Sequence, residues 1–185
     1  MFATPSLLLF MVGVCPFAAG QQLLDLNPDL GPFQDESECF PLEQSWHLMY
    51  RDFESDPYLG GKAKCVKGIQ TTDFVEYSTV VVFEYPPDGV LNTTFKLMSS
   101  PGYTAKNVLN VVPMDNPNVS INLTIAFRDC HSCKVIRHSY IEQGTGCSMW
   151  VTGNQLGQAH LCCSYVFELL CGFKETYQIY DKSCS

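Results

Sequence analysis

Apolar and polar positions alternate with a period of two in two stretches of this chain, and short strand-like runs fill much of the rest. The clearest stretch sets Ile121, Leu123, Ile125 and Phe127 against Asn122, Thr124, Ala126 and Arg128. Successive side chains of a strand point to opposite faces, so the first four are predicted to face inward together. Tyr77, Thr79, Val81, Phe83 and Tyr85 alternate in the same way with Glu76, Ser78 and Glu84. That run ends at Pro86-Pro87-Asp88-Gly89, a strong turn signal. These two runs fall in strand candidates 120–128 and 74–85, and further candidates are residues 46–53, 93–98, 103–112, 133–141 and 147–152, with turn signals between most of them. The period then changes. Residues 160–171 have helical spacing, with Cys162, Val166 and Leu169 on one stripe and Gly172 in a capping position. About eight antiparallel strands followed by one late helix predict a mainly β fold. The expected architecture is an eight-stranded up-and-down barrel with a C-terminal α-helix packed outside, wide enough to hold one small ligand.

The N-terminus changes the picture of where this barrel works. Residues 7–14 are apolar, and Pro16 and the small residues Ala18-Ala19-Gly20 follow. This reads as a secretory leader over residues 1–20, too short to span a bilayer. Residues 21–185 are then a single domain, and the polar, acidic residues 21–38 read as a loose arm. Three sequons begin at Asn92, Asn118 and Asn122, each a glycan acceptor on an expected surface position. The chain carries 11 Lys and Arg against 19 Asp and Glu, a net charge of −8. Such a surface repels phosphate backbones and anionic membranes, so neither nucleic acid nor membrane is an expected partner. A monomer is expected.

Nine of the ten cysteines lie behind the leader. Cys162 and Cys163 are adjacent, and neighbours cannot easily bond each other, so each is expected to reach a separate partner. Cys130-His131-Ser132-Cys133 has the spacing of a redox motif or half a zinc site. A redox motif of that kind needs a βαβ setting, and a zinc site needs two more ligands. His138 and His160 fit no familiar module, so the cysteines are read as structural disulfide partners and no metal is expected. There is no Ser-His-Asp arrangement with recognisable context and no phosphate loop. The chain is therefore expected to be neither an enzyme nor a cofactor carrier.

Several stretches together resemble the tick salivary lipocalins of the histamine-binding-protein family. Residues 46–60, from Trp46 to the Asp56-Pro57 turn and Gly60, resemble that family's first strand. Residues 63–68 resemble its first disulfide segment. Cys133-Lys134, Ser148-Met149-Trp150, Cys162-Cys163 and the terminal Cys184 match the spacing of its C-terminal half. The resemblance spans nearly all of residues 21–185, although residues 70–128 match only as a strand pattern. It implies the bridges Cys65–Cys184, Cys133–Cys163 and Cys39–Cys162, the last typical of relatives with the double cysteine. Cys147 is paired with Cys171 from the remainder. Cys130 is then free or linked to another molecule, since nine is odd.

The resemblance also implies a function. It is that of a secreted lipocalin that sequesters a host inflammatory mediator without turnover, histamine or another biogenic amine first. A leukotriene-like lipid is close behind, and a complement inhibitor that binds a host serum protein is the remaining alternative. Amine-binding members carry an acid just after the residue matching Cys133 and another two before the residue matching Trp150. Here these positions hold Lys134 and Ser148. Asp56 matches an amine-contacting acid, and Phe53 stands where an amine-binding Tyr would be. Glu76, Glu84, Glu142 and Glu168 are further acids that would serve. Phe53, Tyr77, Phe83, Tyr85, Phe95, Phe127 and Trp150 would suit an apolar ligand, with Lys134 or Arg51 on a lipid carboxylate. The expected ligand-binding set is Phe53, Asp56, Tyr85, Phe127, Lys134, Ser148 and Trp150.

Overall fold

The computed structural model describes residues 23–184, so the leader reading lies outside the described residues. Eight strands run in chain order: β1 Trp46–Arg51, β2 Lys67–Gln70, β3 Ser78–Tyr85, β4 Gly89–Met98, β5 Val108–Pro113, β6 Ile121–Asp129, β7 Cys133–His138 and β8 Gly146–Thr152. Each pairs antiparallel with the next, β8 returns to β1, and β1 also pairs with β2. The sheet therefore closes into an up-and-down barrel, which leaves no long free edge. The β1–β2 seam is short, with Trp46 opposite Gly68 and His47 opposite Lys67. A two-residue strand, β9 Tyr177–Gln178, pairs with the far end of β1 at Tyr50 and Arg51.

The two runs read as alternating, residues 77–85 and 121–128, do so with two physical exceptions. Positive φ at Glu76 and Tyr77 breaks the chain before Ser78, so Tyr77 is not on β3 and lies exposed. A bulge between Ile125 and Phe127 shifts the phase of β6. One extra residue flips every later side chain to the other face. Phe127 therefore pairs with Val135 and packs outside the barrel, not among its lining. The inner core is built by Trp46, Leu48, Val81, Phe83, Phe95, Leu109, Leu123, Ile125, Ile136 and Trp150.

Helix α1, Leu161–Cys171, packs on the outer face of β6, β7 and β8. It ends at Gly172, whose φ of +83° is costly for any other residue. The buried stripe is Cys163, Phe167 and Cys171, rotated from the predicted Cys162, Val166 and Leu169. Apart from Ser164 and Glu168 the helix is apolar on its exposed as well as its buried side, so periodicity alone could not set its rotation. Two bridges set it instead: Cys133–Cys163 to β7 and Cys147–Cys171 to β8.

Cys65–Cys184 joins the segment after β1 to the C-terminus, and Cys39–Cys130 joins the N-terminal arm to the β6–β7 turn. The expected Cys39–Cys162 bridge is not formed, and Cys130 is not the odd cysteine. Consecutive residues on a helix point about 100° apart, so with Cys163 against the barrel wall, Cys162 faces solvent. It is exposed and free, whereas Cys130 lies 4.9 Å from Cys39 between Cα atoms. The two adjacent cysteines thus do not each reach a distant partner.

The arm is not loose. Three short 3-10 turns, Leu24–Leu26, Pro28–Phe33 and Glu36–Cys39, carry it along β6 and β7. Asp25, Gln34 and Glu36 are fully buried. Arg137 on the outer face of β7 donates to both oxygens of Asp25, at 2.6 and 2.9 Å, and also to the carbonyl of Leu170 in α1. Gln34 donates to the carbonyls of Asp25 and Ala126. The sequons fall on exposed positions: Asn92, Asn118 and Asn122 all face solvent.

Candidate ligand site inside the barrel

Inward positions of the strands form two poles. Lys134 and His138 are four residues apart on β7, about 13 Å at strand rise. The pole at Lys134 lies under the N-terminal arm. Alternation on β7 turns Lys134 inward while Cys133 and Val135 face the helix. An inward ammonium in an apolar barrel needs a buried counter-charge. Glu36 of the arm supplies it, in direct contact with Lys134 Nζ. The ammonium also sits 3.8 Å from the ring centre of Trp46, a favourable cation–π position. Around this pair lie Phe83, Phe95, Leu109, Leu123, Ile136 and Trp150, with Phe40 and Leu42 from the arm. Gly68 leaves room for the Phe83 ring, since a Cβ there would lie 3.2 Å from it. The free space is only ≈ 40 Å³, enough for a few waters.

The opposite pole is a closed hydrogen-bonded chain. Asp56 accepts from the backbone N–H groups of Tyr58 and Leu59, both at 2.9 Å, as an Asp at a turn commonly does. Its carboxylate also accepts from the Tyr140 hydroxyl at 3.0 Å. Because that hydroxyl donates to Asp56, it accepts from His138 Nδ1–H at 2.9 Å. His138 Nε2 then accepts from the Ser148 hydroxyl at 2.7 Å, and Ser148 Oγ accepts from Trp150 Nε1–H at 2.9 Å. Every member has a role only if the imidazole is neutral. Burial pushes His138 down from 6.5 to about 4, opposed by Asp56 and aided by Arg51. Burial first, and Asp56 second, push the Tyr140 hydroxyl upward. Arg51 closes this pole with hydrogen bonds to the carbonyls of Glu54 and Gly61, and its guanidinium stands 5.1 Å from the ring centre of Phe53.

Of the expected ligand-binding residues, Lys134 and Trp150 line the cavity together with Phe83 and Phe95. Ser148 is one hydrogen bond behind Trp150. Asp56 and Phe53 are buried in the opposite pole, their partners already present. Tyr85 is half-buried at the barrel rim near Gly60 and Gly89. Phe127 is outside. Among the alternative acids, Glu76 and Glu168 are exposed, Glu84 pairs with Lys67 and Glu142 with Lys174. None of these four enters the barrel lining. Glu36, Trp46, His138 and Tyr140 were not anticipated as site residues. An inward Lys134 in an alternating strand was the signal that a buried carboxylate had to exist.

A closed eight-stranded barrel with an outer C-terminal helix and this cysteine ladder defines the scaffold. The family model of the tick histamine-binding protein matches residues 25–185. The chain belongs to the tick histamine-binding protein family. Solved structures agree on the fold. The serotonin complex of a protein called AM182 matches with a TM-score of 0.55 and 16% identity over 77% of this chain and 85% of the other. Lobster apocrustacyanin A1 matches at 0.53 and 15% identity over 85% and 88%. The siderocalin Ex-FABP matches at 0.52 and 15% over 75% and 93%. No curated protein matches in sequence. In this member of the histamine-binding family Glu36 brings one carboxylate into the barrel from the arm, against Lys134. The family is named for histamine binding, and the AM182 structure is a complex with serotonin. Among the described residues no group of three His, Cys, Asp or Glu is placed to hold a metal.

The buried imidazole makes stability depend on pH. The folded-state value of about 4 lies below the ordinary 6.5, so the unfolded chain takes up a proton that the folded chain refuses. The contribution is fully present above pH 6.5 and is lost as pH falls towards 4, a total of about 3 kcal/mol. Asp52, whose carboxyl burial raises, works in the opposite direction. The His138 effect is therefore read as a difference. His138→Gln is expected to flatten the change in urea midpoint between pH 7 and pH 4.5 relative to wild type. An unchanged slope would place His138 in a solvated setting.

Proposed function

We propose that this protein is secreted after loss of residues 1–20 and acts through residues 21–185 as one domain. It sequesters a small host inflammatory mediator in the barrel, without turnover. Four disulfides fit an oxidising compartment, and the exposed Asn92, Asn118 and Asn122 fit glycosylation there. The observation that carries the reading is the aromatic-lined cavity with one buried charge pair, Glu36–Lys134, against Trp46.

Within that reading, charge arithmetic favours a lipid mediator over histamine. An amine cation needs surplus negative charge in the barrel. Here Lys134 matches Glu36, and Arg51 lies in the field of Asp56. Asp56 is further committed to Tyr140 and two backbone N–H groups. One observation supports the biogenic-amine reading: Glu36 Oε2 is buried with no hydrogen-bond partner, so an ammonium could donate to it.

Calorimetric titration of the oxidatively folded protein with histamine, serotonin and a leukotriene tests the proposal. Quenching of Trp46 and Trp150 gives a parallel readout. A leukotriene is expected to bind more tightly than either amine. Preference for an amine would reverse the ligand class, and no binding at micromolar concentration to any of the three would sink sequestration of these mediators.

A further inference from the structure

The two buried carboxylates of the arm are held very differently. Asp25 has both oxygens bonded to Arg137, and its backbone carbonyl accepts from Gln34 and from the Tyr103 hydroxyl. Glu36 has one oxygen on Lys134, and its other oxygen is orphaned although the side chain is fully buried. A buried carboxylate with a missing partner is costly to keep in place. Asp25 is therefore an anchor, whereas Glu36 is replaceable.

The segment that carries Glu36 is short and held at both ends. Gln34 is fixed to Ala126 on one side, and Cys39 is bridged to Cys130 on the other. Between them, the Glu36 N–H bond to the Lys106 carbonyl is a backbone tie that can open without releasing either end. The cavity as built takes only water-sized guests. Glu36, Phe40 and Leu42 of its lining come from the arm, while the rest belongs to the closed sheet. Withdrawing arm side chains enlarges the site without breaking a strand pair.

We propose that Glu36 is a built-in stand-in for the ligand's head group, and that the site takes an amphiphile with one carboxylate. The ligand carboxylate replaces Glu36 on Lys134 beside Trp46, the Glu36 side chain swings out between its two tethers, and the aliphatic tail lies against Phe83, Phe95, Leu109 and Leu123. No covalent bond changes. The proposal rests on the sequestration reading and deepens it by naming the ligand's polar group and what that group must displace.

Dodecanoate and its uncharged counterpart 1-dodecanol are the probes, titrated into folded protein with tryptophan fluorescence as readout. Wild type is expected to bind both. Glu36→Gln keeps the side-chain shape but removes the competing charge, and should raise dodecanoate affinity about tenfold or more with little change for 1-dodecanol. Lys134→Met should reduce dodecanoate to the affinity of the alcohol. An unchanged ratio of the two affinities in Glu36→Gln overturns this proposal while leaving sequestration intact. Uptake of neither amphiphile by wild type overturns the proposal and the lipid reading together. If the Gln variant does not fold, hydrogen exchange on wild type decides: saturating dodecanoate should speed exchange of the Glu36 amide, and equal or slower exchange overturns the displacement.

Discussion

Replacing Cys65 and Cys184 together by Ser is expected to cost about 5 kcal/mol, the largest loss from removing any one bridge. The pair closes a span of 119 residues, and in the chain-entropy model a longer closed loop removes more freedom from the unfolded state. Cys39–Cys130 spans 91 residues and should follow closely, whereas Cys133–Cys163 and Cys147–Cys171, spanning 30 and 24, should cost about 3.5 kcal/mol each. The total stability of a domain this size is only about 5–15 kcal/mol, so the Cys65/Cys184 variant should be marginal or unfolded at 37 °C. Urea midpoints of the four double-Ser variants check the order. Equal losses would show that native contacts at each bridge, not loop entropy, set their worth. The Cys65–Cys184 loss has a local component as well, because Cys65 lies two residues before the short seam that closes the barrel.

Arg137→Met is expected to cost about 3–5 kcal/mol, because it leaves Asp25 fully buried without its cation. The same guanidinium holds Leu170 of α1 and the carbonyl of Thr145, so arm, barrel and helix should loosen together. The double variant Asp25→Leu/Arg137→Met should recover most of the loss, since a buried ion pair can be exchanged for apolar packing at little net cost. Urea denaturation of the single and double variants supplies the comparison. A single variant within 1 kcal/mol of wild type would mean that Asp25 reaches water when its partner is removed.

The barrel and its outer helix were legible because alternation over residues 78–85 and 121–125, followed by a helical period ending at a glycine, leaves few architectures open. What alternation could not show is a single bulge. Phe127 continues the pattern of Ile121, Leu123 and Ile125 in the sequence, yet the extra residue at Ala126 sends it outside. The helix phase was illegible for a different reason. Leu161, Tyr165 and Leu169 are as apolar as the buried residues but are 79, 66 and 54% exposed, so composition gave no face to prefer. Short strand β2 has four residues, one of them glycine, and too few positions for a period to emerge.

The site was legible only in part. Trp150 was read as an inward aromatic, and Lys134 and Ser148 were reached only through the family resemblance, while the carboxylate that Lys134 needs comes from elsewhere in the chain. Glu36 is 98 residues away from Lys134 and Asp25 is 112 from Arg137. An acidic, proline-containing arm looks solvated when read locally. Only the need to neutralise Lys134 and Arg137 on a strand buried along its whole length turns those acids into interior residues. Asp56 illustrates the reverse: its position suited an amine, but the turn N–H groups and Tyr140 already use its oxygens.

The closure of the barrel also dictates an order of events during synthesis. β1 is made early, yet its long-standing neighbour β8 lies about a hundred residues later, and its other free stretch is covered by β9 at Tyr177–Gln178. The residue that clasps the seam from the C-terminal side is Cys184, 119 residues after its partner Cys65. A nascent chain that has not yet made residues 146–152 therefore cannot pair both edges of β1. The apolar strands made first keep one edge unpaired until β8 has been made, the interval in which such a chain is open to misassembly. A truncation of even the final ten would leave a sheet without its fastening.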